Sequence, residues 1–263
     1  MPGLLTSCAP MGAERDSLAT SEDAVLGGRL RLRQPLRGHR VGHDAILLAA
    51  ATQARAGEVA VDLGAGVGGA GLALASRVEG LTVILVEINP ALCALAADNA
   101  QLNRLDERVR VVQADVEKAT GLAPASADRV LMNPPFHDAT RQNVSPDPQR
   151  RLAHAGGPGL LARWIAAAAS LLKPQGVLTL IWRADGLEEA LGALRGEFGG
   201  AGVLPVKPRT NAAAIRVLVR AVKAKAWAKP ADYPALILND ADNRPTAAAE
   251  AILRNGETLE LGP

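Results

Sequence analysis

Residues 58–69 read EVAVDLGAGVGG. An apolar, valine-bearing run ends at Leu63, and Gly64, Gly66, Gly68 and Gly69 follow before the helical stretch GAGLALASRV. A strand, a glycine loop and a helix in this order put bare backbone at the carboxyl edge of a parallel sheet, where a nucleotide-like ligand can lie against it. Gly64, Gly66 and Gly69 match G-x-G-x-x-G. Such a match is weak alone and gains its weight from the strand before it and the helix after it.

The same rhythm continues outward from this point. LTVILVE (81–87) leads into NPALCALAADNAQLN, RVRVVQAD (108–115) follows, and ADRVLMN (127–133) reads as a fourth strand. After a variable stretch to about residue 159 come the helix LLARWIAAAASLL, the strand GVLTLIW (176–182) and the helix GLEEALGAL. AAIRVLVRAV (213–222) reads as a last strand, paired as a hairpin with GVLPV (202–206), and RPTAAAEAILRNG (244–256) as a helix stopped by Asn-Gly. Near-continuous Val/Leu/Ile strands separated by helices predict an α/β fold with a parallel sheet covered on both faces. Upstream, LGGRLRLRQPLRGHRVG (26–42) alternates Leu with Arg and predicts a basic hairpin turning near Pro35, with Leu30 and Leu32 inward and Arg29, Arg31 and Arg33 outward. The expected division is a disordered tail over 1–23 and a single domain over 24–263. Within that domain the hairpin takes 24–43, a lid helix 44–56, the core sheet 57–222 and a C-terminal extension 223–263.

Composition bounds the partners. The 263 residues are 48% hydrophobic with a formal net charge of +2, enough for one substantial core and no strong overall field. The charge is uneven: 24–43 and 198–231 contain no acid, and Arg29, Arg31, Arg33, Arg37, Arg40, Lys207, Arg209 and Arg216 fall there. That pattern suits a polyanion, although each segment alone also reads as a solvated face. Cys8 and Cys93 make neither a disulfide framework nor a metal set, so no metal is expected. The N-terminus lacks a secretory pattern and no apolar run is long enough to span a bilayer, which predicts a cytoplasmic protein without a membrane partner.

Three carboxylates and one tetrapeptide carry chemistry. Asp62 stands just before the glycines, where a carboxylate suits a cationic ligand such as S-adenosylmethionine better than a pyrophosphate. Glu87 ends the second strand and can accept from both hydroxyls of a ribose, a feature shared with NAD enzymes. Asp115, at the end of the third strand, can accept from an adenine amino group or be a solvated loop residue. Asn133-Pro134-Pro135-Phe136 ends the fourth strand. Two prolines fix the backbone and leave its carbonyls free as acceptors. The Asn133 side-chain oxygen and the Pro134 carbonyl can then converge on one NH₂, with Phe136 as a face for a planar ring.

DLGAGVG, Glu87, Asp115 and NPPF in this order and spacing resemble the Rossmann-like class I methyltransferases that use S-adenosylmethionine, and NPP[FY] marks those that methylate a planar exocyclic or amide nitrogen. LGGRLRLRQPLRGHRVGHDAILLAA before the loop and NPPFHDA after it resemble the bacterial tRNA adenine-N6 methyltransferase branch. The resemblance implies a seven-stranded, mostly parallel sheet. It assigns Asp62, Gly64, Ala65, Gly66 and Gly68 to the methionine half of the cofactor, Glu87 and Ile88 to the ribose side, and Asp115 and Val116 to the adenine. Asn133 to Phe136 take the target base, and Asp44 begins a segment closing over the methionine end. His43 replaces the small or hydroxylated residue expected there. RNA, tRNA above all, is the implied partner, with Arg29, Arg31, Arg33, Arg141, His154 and Arg209 as candidate contacts.

Other readings stay open on the residues alone. A guanine-N2 enzyme of rRNA and a glutamine-N5 enzyme of protein share NPP[FY], but each normally carries a further domain. An NAD-dependent oxidoreductase explains the glycines and Glu87 and leaves NPPF unexplained. A non-enzymatic RNA-binding module explains only the basic flanks. Trp164 and Trp182 read as core, and His137, Asp138 and His154 as residues of a substrate loop.

Overall fold

The computed structural model describes residues 19–38, 40–118, 121–135 and 159–262. A hairpin opens it: β1 (Thr20–Val25) pairs antiparallel with β2 (Leu30–Pro35). Its turn falls at Leu26–Arg29, where Gly27 and Gly28 take left-handed φ of 63° and 91°. The alternation therefore belongs to the second strand only. The first is TSEDAV, whose first four residues lie in the stretch expected as a tail, and Pro35 ends the hairpin instead of turning it. Leu30 and Leu32 are fully buried while Arg31 and Arg33 face outward, as the alternation predicts.

Helix α1 (His43–Ala51) leads to β3 (Val59–Leu63), α2 (Gly69–Arg77), β4 (Thr82–Glu87), α3 (Pro90–Leu102), β5 (Val109–Gln113) and β6 (Ala127–Met132). After the undescribed residues 136–158 come α4 (Leu160–Leu171), β7 (Leu172–Arg183), α5 (Leu187–Leu194), β8 (Phe198–Lys207) and β9 (Arg216–Lys223). Two short strands, β10 (Ala231–Asp232) and β11 (Leu236–Ile237), and α6 (Ala247–Leu253) complete the described fold. Each αβ alternation predicts a right-handed crossover onto a parallel neighbour. The sheet runs β5-β4-β3-β6-β7-β9-β8-β10, with β11 also on β8. All pairs are parallel except those of β9, which runs antiparallel between β7 and β8. The seven long strands match the expected sheet. β10 and β11 extend it to nine because the C-terminal segment adds main-chain bonds to the edge of β8, two residues at a time.

Strand residues alternate between two cores. Val61, Leu63, Val130, Met132, Leu180 and Trp182 pack beneath α4 and α5. Ala60, Leu131, Ile181 and Leu218 face α1, α2, the hairpin and α6. A sheet covered on both faces explains why its strands read as continuous apolar runs. β3 is the topological switch: the chain leaves it for β4 and β5 on one side and returns to β6 on the other. The crevice this opens lies at the carboxyl ends of β3, β4 and β6. Among the described residues no helix is long and apolar enough to cross a membrane, and no cluster of three His, Cys, Asp or Glu is placed to hold a metal.

Candidate active site

The glycine loop crosses the carboxyl end of β3 in a conformation that side chains resist. Gly64, Gly66 and Gly68 have φ of 72°, 57° and 91°. The amides of Gly64 and Ala65 both donate to the Val86 carbonyl at 2.9 Å, which ties the loop to the end of β4. Space explains each glycine differently. A Cβ on Gly64 would lie 2.5 Å from the Trp164 indole, so that residue is small because the core of α4 rests against it. A Cβ on Gly66 would meet nothing within 4 Å: its backbone faces open space and is reachable by a ligand.

Glu87 sits beside this opening and is almost fully buried. Its Oε2 accepts from the Gly66 amide at 2.8 Å and its Oε1 from the Asn89 amide at 2.9 Å. Each oxygen keeps a lone pair for a further donor, the arrangement a vicinal diol would use. Asn89 in turn caps α3, accepting from the amides of Ala91 and Leu92. Ile88, next in the chain, leaves half of its surface exposed, unlike the buried apolar residues around it. Val116 is buried across the β4–β5 edge, where the Ala114 amide donates to the Glu87 carbonyl at 2.9 Å.

Asp62 is buried under the loop on the face of β3 opposite Val61, and its Oδ2 accepts from the Gly71 amide at 2.8 Å. Burial pushes its carboxyl up from 3.8 to about 7; the Gly71 amide opposes that shift and the Glu87 charge adds to it. Its observed partner is thus the first turn of α2. Asp115 begins a turn, accepting from the Glu117 amide at 3.0 Å and pairing with Lys118 at 3.3 Å.

At the end of β6, Pro134 is buried and the Asn133 Oδ1 is buried without a hydrogen-bond partner among the described residues. An orphaned buried acceptor costs about 1–3 kcal/mol, so such a group in a native fold calls for a donor beyond the described residues. Met132 pairs with Leu63 in register, which brings Asn133 beside Gly64 across the switch point. Phe136, Arg141 and His154 lie outside the described residues.

Several expected contacts have other partners. Arg31 and Arg33 both pair with Glu22 of β1, and Arg40 pairs with Asp23 at 2.6 Å. The acid-free window beginning at Ala24 missed these acids because they lie on the neighbouring strand, where cross-strand pairing brings them opposite the arginines. Arg29 donates to the Asn255 carbonyl. Asp44, in the first turn of α1, accepts from Arg216 Nε at 2.9 Å, joining that helix to β9. Arg209 is exposed beyond the carboxyl end of β8, on the same sheet edge as Asn133. Sequence reasoning missed the roles of Asn89, Asn99 and Gln34, whose amides complete the loop and hairpin. The Asn-Pro start of α3 was the legible signal for the first of them.

The open backbone over Gly66, the diol-ready Glu87, the exposed Ile88 and the orphaned Asn133 amide converge at one sheet edge, and they fit an adenosine-bearing cofactor with an amino-group acceptor beside it. Comparison with known proteins agrees. The methyltransferase small domain model matches residues 39–208. A tRNA1(Val) (adenine(37)-N6)-methyltransferase from Porphyromonas gingivalis is 32% identical over 157 residues, 57% of this chain and 61% of that protein. A tRNA1(Val) (adenine(37)-N6)-methyltransferase from Tolumonas auensis is 32% identical over 143 residues, 54% of this chain and 58% of its own. The chain thus spans about three fifths of the length of these relatives. A crystal structure described as a predicted O-methyltransferase from Agrobacterium tumefaciens superposes with a TM-score of 0.69 at 27% identity, covering 82% of this chain and 98% of that one. With a family model over well more than half its length, the chain belongs to the methyltransferase small domain family.

Proposed function

We propose that the protein methylates the exocyclic amino group of a base in RNA, adenine N6 in tRNA, with its cofactor held by Glu87, Ile88, Asp115, Val116 and the loop from Asp62 to Gly68. The observation that carries the proposal is the buried, unpartnered Oδ1 of Asn133 beside the glycine loop. A carboxamide oxygen accepts and cannot donate, so it selects a target bearing a hydrogen-bond donor such as N–H. The relatives named for adenine-N6 methylation support adenine over other amino-bearing targets.

When bound, S-adenosylmethionine supplies an electrophilic methyl group on a sulfonium. The chain's own residues must then make a poor nucleophile available. An adenine amino lone pair is delocalised into the ring. Accepting both of its hydrogens, at Asn133 Oδ1 and the Pro134 carbonyl, favours the more pyramidal nitrogen and localises that pair. The two bonds strengthen as positive charge develops on nitrogen, so they favour the transition state over the ground state. The stiff Pro134-Pro135 pair keeps these acceptors in place, and the remaining acceleration is positional. A base must leave its stack to reach this recess, and Phe136 is its proposed stacking partner.

The RNA approaches along the carboxyl edge, where the sheet order puts Arg209 three strands from β6, roughly 14 Å at the usual strand spacing. Arg141 and His154 belong to the connection between β6 and α4 and are further proposed contacts. Arg29, Arg31 and Arg33 contribute less, since each already has a partner. A transfer assay with labelled cofactor, run in parallel on total RNA and total protein, tests the class of acceptor. Label in RNA is the expected result. Label confined to protein would replace the base with a glutamine amide.

A further inference from the structure

A second feature of the glycine loop points away from the sheet edge, toward the hairpin. Asn99, on α3, has no exposed surface. Its Oδ1 accepts from the Arg33 amide at 2.7 Å, and its Nδ2 donates both to the Arg33 carbonyl and to the Val67 carbonyl, each at 3.0 Å. One side chain therefore serves as a strand partner for β2 and as an anchor for the cofactor loop. Asn103, one turn later, repeats only the first half: it exchanges bonds with the Arg31 amide and carbonyl at 2.9 and 2.7 Å and reaches no part of the loop.

A separate contact links the same two parts. A Cβ on Gly69 would lie 2.6 Å from a Val41 methyl, so Val41 rests directly on the residue that opens α2. Val41 is itself held to the hairpin, because its amide donates to the buried Gln34 Oε1 at 2.7 Å. The hairpin is thus linked to the loop region twice, once through Asn99, which bonds both Arg33 and Val67, and once through Val41, which packs on Gly69 and is held by Gln34.

We propose that Asn99 is a positioning residue that couples hairpin docking to the glycine loop, so that cofactor binding and hairpin order reinforce one another. A loop of three left-handed glycines has many alternatives in its free state, and a fixed carbonyl at Val67 removes some of them. Whatever the loop gains from the docked hairpin, the hairpin must gain from the occupied loop, because coupling free energies are reciprocal. Anything that grips the hairpin's outer face would then raise cofactor affinity. This inference rests on the reading that the cofactor lies over Gly66.

Hydrogen exchange and calorimetry on the full chain, with S-adenosylhomocysteine as the probe, test it. In the wild-type protein the product should slow exchange at the Arg31 and Arg33 amides, although neither is expected to touch it. Asn99→Ala should weaken binding about five- to tenfold, the scale of one lost bond in a coupled pair, and abolish that protection. Asn103→Ala should loosen the Arg31 amide and leave affinity within about twofold, since its side chain bonds Arg31 and the Asn99 main-chain carbonyl but neither the Asn99 side chain nor the loop. Unchanged hairpin exchange in wild type on saturation would overturn the coupling, as would wild-type affinity in Asn99→Ala. Because the first measurement needs no variant, misfolding of Asn99→Ala does not protect the proposal. If product binds but protects other loops and not residues 64–68, the cofactor reading fails instead.

Discussion

Asn133 presents an amide oxygen that is buried from water and has no donor among the described residues, and the proposed chemistry rests on this single atom. Asn133→Ala should lower kcat on the order of a hundredfold, as for loss of one preorganised hydrogen-bond partner in a transition state. KM for the cofactor should hardly move; normal turnover in single-turnover kinetics would remove the residue from the mechanism. Asp62 makes a different prediction. Its buried carboxyl holds its proton to about pH 7, whereas in the unfolded chain it ionises near 3.8. Between those values the unfolded state binds fewer protons than the native one, so stability falls as pH rises from about 4 to about 7 and is level above that. Asp62→Asn should flatten this fall in urea denaturation followed across that window. A slope identical to wild type would mean that another group governs it. Residue types at this scale were legible: the glycines, Glu87 and Asn133 were all chosen from sequence. Their partners were not. That Gly64 yields space to Trp164, or that Asp62 is spent on the Gly71 amide, depends on which elements pack together, and no local pattern encodes that.

Elements carry the second tier of predictions. The terminal helix α6 begins at Thr246, whose Oγ1 accepts from the Ala249 amide at 3.1 Å, and the segment after it buries Leu259 and Leu261 against the body. Thr246→Ala should cost about 1 kcal/mol, the usual worth of such a cap, read as a lower urea midpoint at unchanged m. For the hairpin, Arg31 and Arg33 share the one carboxylate of Glu22, which offsets part of their charge. Arg209→Gln should therefore flatten the dependence of RNA binding on salt by about one unit of log–log slope, while Arg31→Gln should change it less. Equal slopes for the two variants would return the hairpin face to the interface. The helices and buried strands were readable because periodicity and valine content agree with their burial on both sheet faces. The hairpin was misread by one strand. TSEDAV carries no apolar alternation, and its small and charged residues look like a tail until β2 pairs with it. β10 and β11 are two residues each, too short for a periodicity to register, although Leu236 of β11 is buried in the core.

At the scale of the whole molecule, one crevice at the switch of a parallel sheet joins the cofactor edge to the proposed base pocket, and the hairpin backs the loop between them. The architecture followed from the alternation of strands and helices, because a right-handed crossover leaves few ways to assemble them. The acceptor did not follow, since a carboxamide that accepts from NH₂ serves adenine, guanine and glutamine alike. Incubation with methyl-tritiated S-adenosylmethionine and tRNA from a strain lacking this protein, followed by digestion to nucleosides, tests that point most directly. The account predicts label in N6-methyladenosine; label in N2-methylguanosine, or in no nucleoside at all, would contradict it.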